Sequence, residues 1–227
     1  DNGAEKFTWP DGGVSPFRGE KATTWEGGIR IPLLVRWPGK VAANKVSNEI
    51  ISLEDMLPTL LAAAGQPVIT SKLLAGASIG GASYKVHLDG YNLIPHLTGK
   101  DPKSPRTSFI YFTDDGDVAA LRYDNWKLIF MEQRAQGTLN VWAEPFTVLR
   151  LPLLFNLRTD PLERADTTSN TYYEWFLARA YMLAAASSIV EEFLKTFREY
   201  PPRQRAASFT IDQALEKMKS AMGGGGH

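Results

Sequence analysis

The spacing of apolar and polar positions changes period several times along the chain, and each change predicts an element. Residues 29–37 form a nearly continuous apolar, branched run that ends at Pro38-Gly39. Such a run predicts a strand buried on both faces, as in a parallel α/β sheet. Leu53, Leu57, Leu60, Leu61 and Ala64 then recur at helical spacing. Ser52 is placed to cap that helix, with Asp55 three positions on as a capping-box partner and Gly65 as a stop. Pro58 requires either a late start, which places it in the first turn, or a kink. Residues 66–81 are rich in Gly, Ala and Ser and read as a loop insertion, and residues 93–97 read as a short helix.

After Asp101-Pro102-Lys103-Ser104-Pro105, the best candidate for a domain boundary, the period drops to two. Residues 108–113, 118–123 and 126–130 alternate and are separated by Asp114 to Asp117 and by Asp124-Asn125, which predicts a β-meander. Residues 153–157 offer a fourth strand, and Asp160-Pro161 a turn. Residues 172–200 predict a long helix broken around 184–188. Ile189, Phe193 and Phe197 line one face of it, flanked by Val190 and Leu194. Pro201-Pro202 stops it, and residues 211–222 make a short amphipathic helix. Strands followed by helices point to a separate α+β unit behind an α/β portion. The organisation expected is therefore 1–104, then 105–222, then a Gly-rich tail at 223–227. Residues 1–30, dense in Gly and Pro, read as loop.

Composition narrows the classes. Apolar residues make up 44% and charged residues 22%, enough for a core and too apolar for general disorder. Lys+Arg and Asp+Glu both number 25, so no excess of positive charge points to nucleic acid or an anionic membrane. A local basic pocket for a small anion stays open. Cysteine is absent, which excludes a disulfide, a thiolate zinc site or a cysteine nucleophile within this chain and leaves the compartment open. The most apolar stretch, 178–190, is too short for a membrane span and contains Arg179. No leader pattern opens the sequence at Asp1, and an export signal would precede it.

The loop at 1–30 holds the candidate chemistry. Asp1 and Asn2 offer a carboxylate and an amide carbonyl, the oxygen ligands that hard cations take, although two ligands do not fill six to eight positions. The bland reading of Asp1-Asn2-Gly3 is a turn. Lys21 offers a compact ammonium suited to a tetrahedral anion, and its bland reading is a solvated surface lysine. Glu26 and Arg30, four apart, favour a structural ion pair, and Trp25 favours packing. His87 and His96 read as structural or rim residues, without zinc-ligand spacing. Asp114-Asp115-Gly116-Asp117 reads as a solvated hairpin turn.

The string Gly19-Glu20-Lys21-Ala22-Thr23-Thr24-Trp25-Glu26-Gly27-Gly28-Ile29-Arg30-Ile31-Pro32, followed by Arg36-Trp37-Pro38-Gly39, resembles the lysine motif of type I sulfatases. These are the formylglycine-dependent arylsulfatases of the alkaline phosphatase superfamily. Asp1-Asn2-Gly3 stands upstream, where the family has Asp-Asn-Gly. The segments 55–61, 88–90 and 154–161 are further landmarks in family order. The resemblance covers the chain up to its glycine tail. It implies the C-terminal part of an alkaline-phosphatase-like sulfatase α/β domain, followed by a small α+β subdomain of antiparallel sheet and long helix. It implies Asp1 and Asn2 as ligands of calcium, or magnesium in some members, and Lys21 as a catalytic, substrate-binding residue on a sulfate oxygen. The family nucleophile, a formylglycine hydrate made within Cys/Ser-x-Pro-x-Arg, attacks sulfur, expels the alcohol and releases sulfate. Neither that motif nor the family's catalytic histidines match this chain. Ser15-Pro16-Phe17-Arg18 has the wrong spacing and lies on the wrong side of Asp1-Asn2.

Three readings follow. The first is part of a sulfuric ester hydrolase acting on a small-molecule or carbohydrate sulfate ester, inactive alone, whose partner is the N-terminal half that carries the nucleophile. The second is a non-catalytic interaction module. The third is a phosphate or phosphonate monoester hydrolase of the same superfamily. Because many bacterial members are exported, the resemblance is compatible with a periplasmic or secreted location.

Overall fold

The computed structural model describes residues 2–6, 12–137, 140–201, 215–216 and 218–219. In chain order the elements begin with helix α1 (Glu26–Ile29), then a 3-10 turn (Leu53–Asp55) that runs into α2 (Met56–Ala63), and α3 (Ile69–Ala75). Strands β1 (Ala77–Ile79) and β2 (Ala82–Tyr84) and helix α4 (Ile94–Leu97) follow. Next come β3 (Ser108–Phe112), β4 (Val118–Tyr123), β5 (Trp126–Glu132), α5 (Asn140–Ala143) and β6 (Thr147–Asn156). The last are α6 (Ala165–Thr168), α7 (Tyr172–Leu177) and α8 (Tyr181–Glu199). The chain packs as two compact units, one from the described residues of 1–32 and 110–198 and one from 33–109 with 199–201. The α/β class expected from the sequence holds, with antiparallel sheets and helices.

The first unit is organised by the four-stranded sheet, in the order β3-β4-β5-β6. The two-residue turn Asp124-Asn125 closes β4 on β5 in the register Tyr123↔Trp126 and Leu121↔Leu128, with Asp124 at φ 48. Asp tolerates that left-handed conformation, and primed turns of this kind match strand twist. The fourth strand is longer than the apolar pattern at 153–157 indicated, because β6 continues N-terminally past an irregularity opposite Ile129 to Met131. Leu128, Phe130 and Leu154 pack on Phe176 and on Ala186, Val190 and Leu194 of α8. The last three recur every four residues, so they share one helix face. Each fully buried aliphatic side chain there contributes roughly 1.5–3 kcal/mol. Ile189, Phe193 and Phe197 are half-buried beside that line.

The helical break falls at 178–180 rather than at 184–188. The Arg179 guanidinium donates to the Trp175 carbonyl at 2.9 Å and lies over the Trp175 ring, while Trp175 stacks on Tyr172 and Trp126. Ala186, in contrast, must stay helical to reach the sheet. The Tyr172 hydroxyl ties α7 to β6, donating to the Leu154 carbonyl at 3.1 Å and accepting from its N–H at 2.9 Å. The amphipathic helix expected at 211–222 lies largely outside the described residues, among which Met218 is buried.

In the second unit, the Ser52 capping box forms as expected, and Pro58 sits in the first turn of α2. Gly65, at φ 89, terminates the helix. The buried face is inverted with respect to the leucine pattern. Leu57 and Leu60 are 52% and 66% exposed, whereas Asp55 is fully buried. The Asp55 carboxylate accepts Arg106 Nε at 2.9 Å and Nη2 at 2.7 Å, and also the Tyr91 N–H at 2.7 Å. Thr59 accepts the Leu93 N–H at 2.9 Å and donates to the Tyr91 carbonyl. These bonds dictate the rotation of the helix, because a buried unpaired carboxylate costs far more than an exposed leucine.

Two expectations need correction. Residues 66–81 are not a plain loop but hold α3 and the start of a β1–β2 hairpin whose Gly80-Gly81 turn has φ 60 and 83. That pair is a strong hairpin signal. Residues 30–37 carry no regular secondary structure, and Leu34 is 94% exposed, so the doubly buried strand is not formed among the described residues. A strand needs backbone partners on its flanks, and no strand of either described sheet lies in ladder with it.

Candidate active site

The lysine loop is shaped by backbone contacts that only glycine permits. Gly3 N–H donates to the Gly28 carbonyl at 2.7 Å, and Lys21 N–H donates to the Ala4 carbonyl at 3.0 Å. A Cβ on Gly3 would stand 2.0 Å from the Gly27 carbonyl oxygen, and one on Gly28 2.3 Å from that of Glu20. Gly3 is therefore required where its segment abuts the Gly27-Gly28 backbone, and Gly27 and Gly28 where the loop folds onto its own Arg18 and Glu20 carbonyls. Asn2 is exposed on this segment, and Lys21 is half-buried on the loop beside it. Asp1 lies outside the described residues.

Anchors hold the loop on both sides of Lys21. Glu20 is buried, and its carboxylate accepts the N–H groups of Lys6 at 2.8 Å and Gly137 at 3.0 Å. The Thr23 hydroxyl closes a turn onto the Glu20 carbonyl at 2.6 Å. Trp25 packs edge-on against Phe155 with Arg18 across its ring at 3.5 Å, the packing role expected for it. Arg18 also pairs with Asp166 at 2.8 Å.

Glu26 does pair with Arg30, but only at 3.9 Å. Its stronger partner is Lys127 of β5, whose ammonium lies 3.0 Å from Glu26 and 2.7 Å from Glu163, with all three side chains buried. Glu163 also accepts the Glu26 N–H at 2.6 Å. Burial pushes both carboxyls up, but Lys127, Arg122 at 3.6 Å and Arg30 outweigh it at Glu26, which ends below the ordinary carboxylate range. Glu163 lacks those arginines and faces the Glu26 charge, so burial prevails and it ends above that range. Burial likewise pushes the Tyr111 hydroxyl well up, next to Glu26. Lys127 and Glu163 escaped the sequence reading. The one available signal was a lysine within the apolar run of β5.

His87 pairs with Asp89 at 2.9 Å and His96 meets Ser47 at 3.0 Å, both local contacts of the second unit. Among the described residues no group of three or more His, Asp or Glu is arranged to hold a metal ion. Calcium takes six to eight oxygens, so Asn2, with Asp1 before it, fits as a partial donor set that needs other ligands.

Comparison with known proteins decides the family. A model described as the C-terminal region of aryl-sulfatase matches residues 104–221, and the sulfatase model matches residues 1–66. The chain belongs to the sulfatase family. Human arylsulfatase A is 36% identical over 175 residues, covering 72% of this chain and 31% of that protein. Mouse steryl-sulfatase is 33% identical over 167 residues, covering 67% of this chain and 24% of its own length. The crystal structure of PsFucS1 sulfatase from Pseudoalteromonas sp. superposes with a TM-score of 0.66 at 30% identity, covering 90% of this sulfatase chain and 37% of the other. The chain thus spans about a third of the length of the relatives it matches. Among the described residues no helix is long and apolar enough to cross a membrane.

Proposed function

We propose that this sulfatase chain supplies one side of an active site that hydrolyses sulfate monoesters. In this reading Lys21 binds a sulfate oxygen and stabilises the charge that develops there. Asp1 and Asn2 contribute oxygen ligands to calcium or magnesium, which supplies positive charge at the sulfate. The formylglycine nucleophile and remaining ligands come from sequence outside this chain. The substrate is a small-molecule or carbohydrate sulfate ester.

The pair of hydrogen bonds from Gly3 to Gly28 and from Lys21 to Ala4 carries the reading. They run the backbone of the Asn2 segment beside that of the Lys21 loop, as a shared metal and sulfate site requires. A lysine held on a rigid loop stabilises an anionic transition state without reorganising. The exposed Leu34, Leu57 and Leu60 support further polypeptide packing on the second unit.

The test uses the protein expressed from its complete reading frame. Turnover of an aryl sulfate should exceed that of the matching aryl phosphate. Lys21→Ala should lower kcat/KM by about 10²–10³. Faster phosphate turnover, or full activity in Lys21→Ala, would overturn the reading.

A further inference from the structure

We propose that Lys127 and Glu163 are positioning residues for Lys21, acting through Glu26 as a buried ionic clamp on the lysine loop. The inference rests on the role proposed for Lys21.

Apolar packing does little to hold this loop. Within the described residues of 12–32, Trp25 is the one buried hydrophobic side chain. The clamp joins three distant segments instead. Lys127 on β5 bridges Glu26 at 3.0 Å and Glu163 at 2.7 Å, and Glu163 also takes the Glu26 N–H at 2.6 Å. Both the side chain and the backbone of Glu26 are therefore fixed from the C-terminal sheet region. The next residue, Gly27, donates to the Arg18 carbonyl at 2.7 Å, and the carbonyl of Gly28 receives Gly3 at 2.7 Å. Arg18 in turn donates to the Glu163 carbonyl at 2.6 Å. Displacing Glu26 would thus release both ends of the turn that carries Lys21.

The energetics favour positioning over bulk stabilisation. Three charges removed from water cost several kcal/mol each, and apolar replacements of buried ion pairs are often neutral or stabilising. Glu163 Oε1 pairs with Lys127 at 2.7 Å, while Glu26 Oε2 meets only the more distant Arg122 at 3.6 Å and Arg30 at 3.9 Å. The desolvation of three charges offsets much of what these contacts contribute. The cluster is effective at setting register, because its ions pair in only one arrangement of the three segments.

The test compares Lys127→Met with Val190→Ala, a cavity in the α8 contact that lowers stability without touching the clamp. Both are made in the protein from the complete reading frame. Hydrogen exchange at the amides of Gly3, Lys21, Gly27 and Gly28 should accelerate in Lys127→Met at least about tenfold more than at Leu121 and Leu128. In Val190→Ala those loop amides should be unchanged. With an aryl sulfate, kcat/KM of Lys127→Met should fall at least about tenfold with the sheet intact. If Lys127→Met does not fold, Glu163→Gln carries the test, with a smaller shift at the same amides, because its amide retains volume and an acceptor for Glu26. Unchanged exchange at the four loop amides, or equal loss across loop and sheet, would overturn the proposal. Full activity in Lys21→Ala would defeat the catalytic reading alone and leave the exchange result to judge the clamp.

Discussion

The helices α8 and α2, one in each unit, bury opposite kinds of face. In the first unit, β4, β5 and α8 enclose their own apolar side chains, and the buried charges sit apart from that core around Lys127. In the second, α2 turns Asp55 and Thr59 inward and leaves Leu53, Leu57 and Leu60 exposed, with Leu34 almost bare. The first unit is stabilised by hydrophobic burial within its own segments. The second buries Ile69, Leu73 and Leu93 but turns the polar side of α2 onto a network around Arg106, and Leu53, Leu57 and Leu60 stay uncovered. Amphipathic spacing marks a face that wants burial but does not say whether that partner lies within the same segment.

The sharpest way to break this contrast is a pair of truncations followed by denaturant melts. Phe130→Ala should cost about 3–5 kcal/mol, because it empties a buried site between sheet and helix. Leu60→Ala should stay within about 0.5 kcal/mol on this chain, since its side chain is already in water. A large loss in Leu60→Ala would mean that the leucine face is covered.

On α2 of the second unit a comparable loss is expected from the polar side, not from the leucines. Asp55→Ala strands the Arg106 guanidinium and should cost about 3–5 kcal/mol. Thermal melts that show Asp55→Ala no worse than Leu60→Ala would remove the polar account of α2.

The smallest effect is a pH dependence in the first unit. The lowered Glu26 carboxyl gives stability that is present above the ordinary carboxylate range and lost as pH falls through its folded value. The raised Glu163 carboxyl works the other way, with stability present below that range and lost as pH rises through its folded value. Glu163→Gln mimics the protonated acid. Its Tm relative to the unmodified chain should therefore rise from about pH 4 to pH 7. A flat difference across that interval would show that Glu163 titrates as an ordinary carboxyl.

Much of the local structure was legible. Strand β4 falls at residues 118–123 as the alternation indicated, and Ser52, Pro58 and Gly65 mark the limits of α2 as their chemistry requires. The Gly80-Gly81 hairpin carries a legible turn signal, but its flanks are small residues rather than the branched and aromatic ones that mark strands. The break at 178–180 was not, since it depends on Arg179 reaching Trp175 and the tryptophan stacking beyond it. In the candidate site, Gly3, Gly27 and Gly28 stood out in the sequence, but the contacts that require glycine are tertiary: Gly3 abuts the Gly27 carbonyl, and Gly27 and Gly28 abut the carbonyls of Arg18 and Glu20.

By itself the sequence determined the strands of the β-meander, the caps that bound α2 and the ordered motifs that mark a sulfatase. These depend on neighbours within a few residues, where spacing and side-chain chemistry act directly. Only the tertiary structure decided which face of α2 is inside and that Glu26, beyond its pair with Arg30, meets Lys127 and Glu163. Those partners lie 101 and 137 residues away, and at such separations only the folded chain brings a buried carboxylate to the charge that makes its burial tolerable.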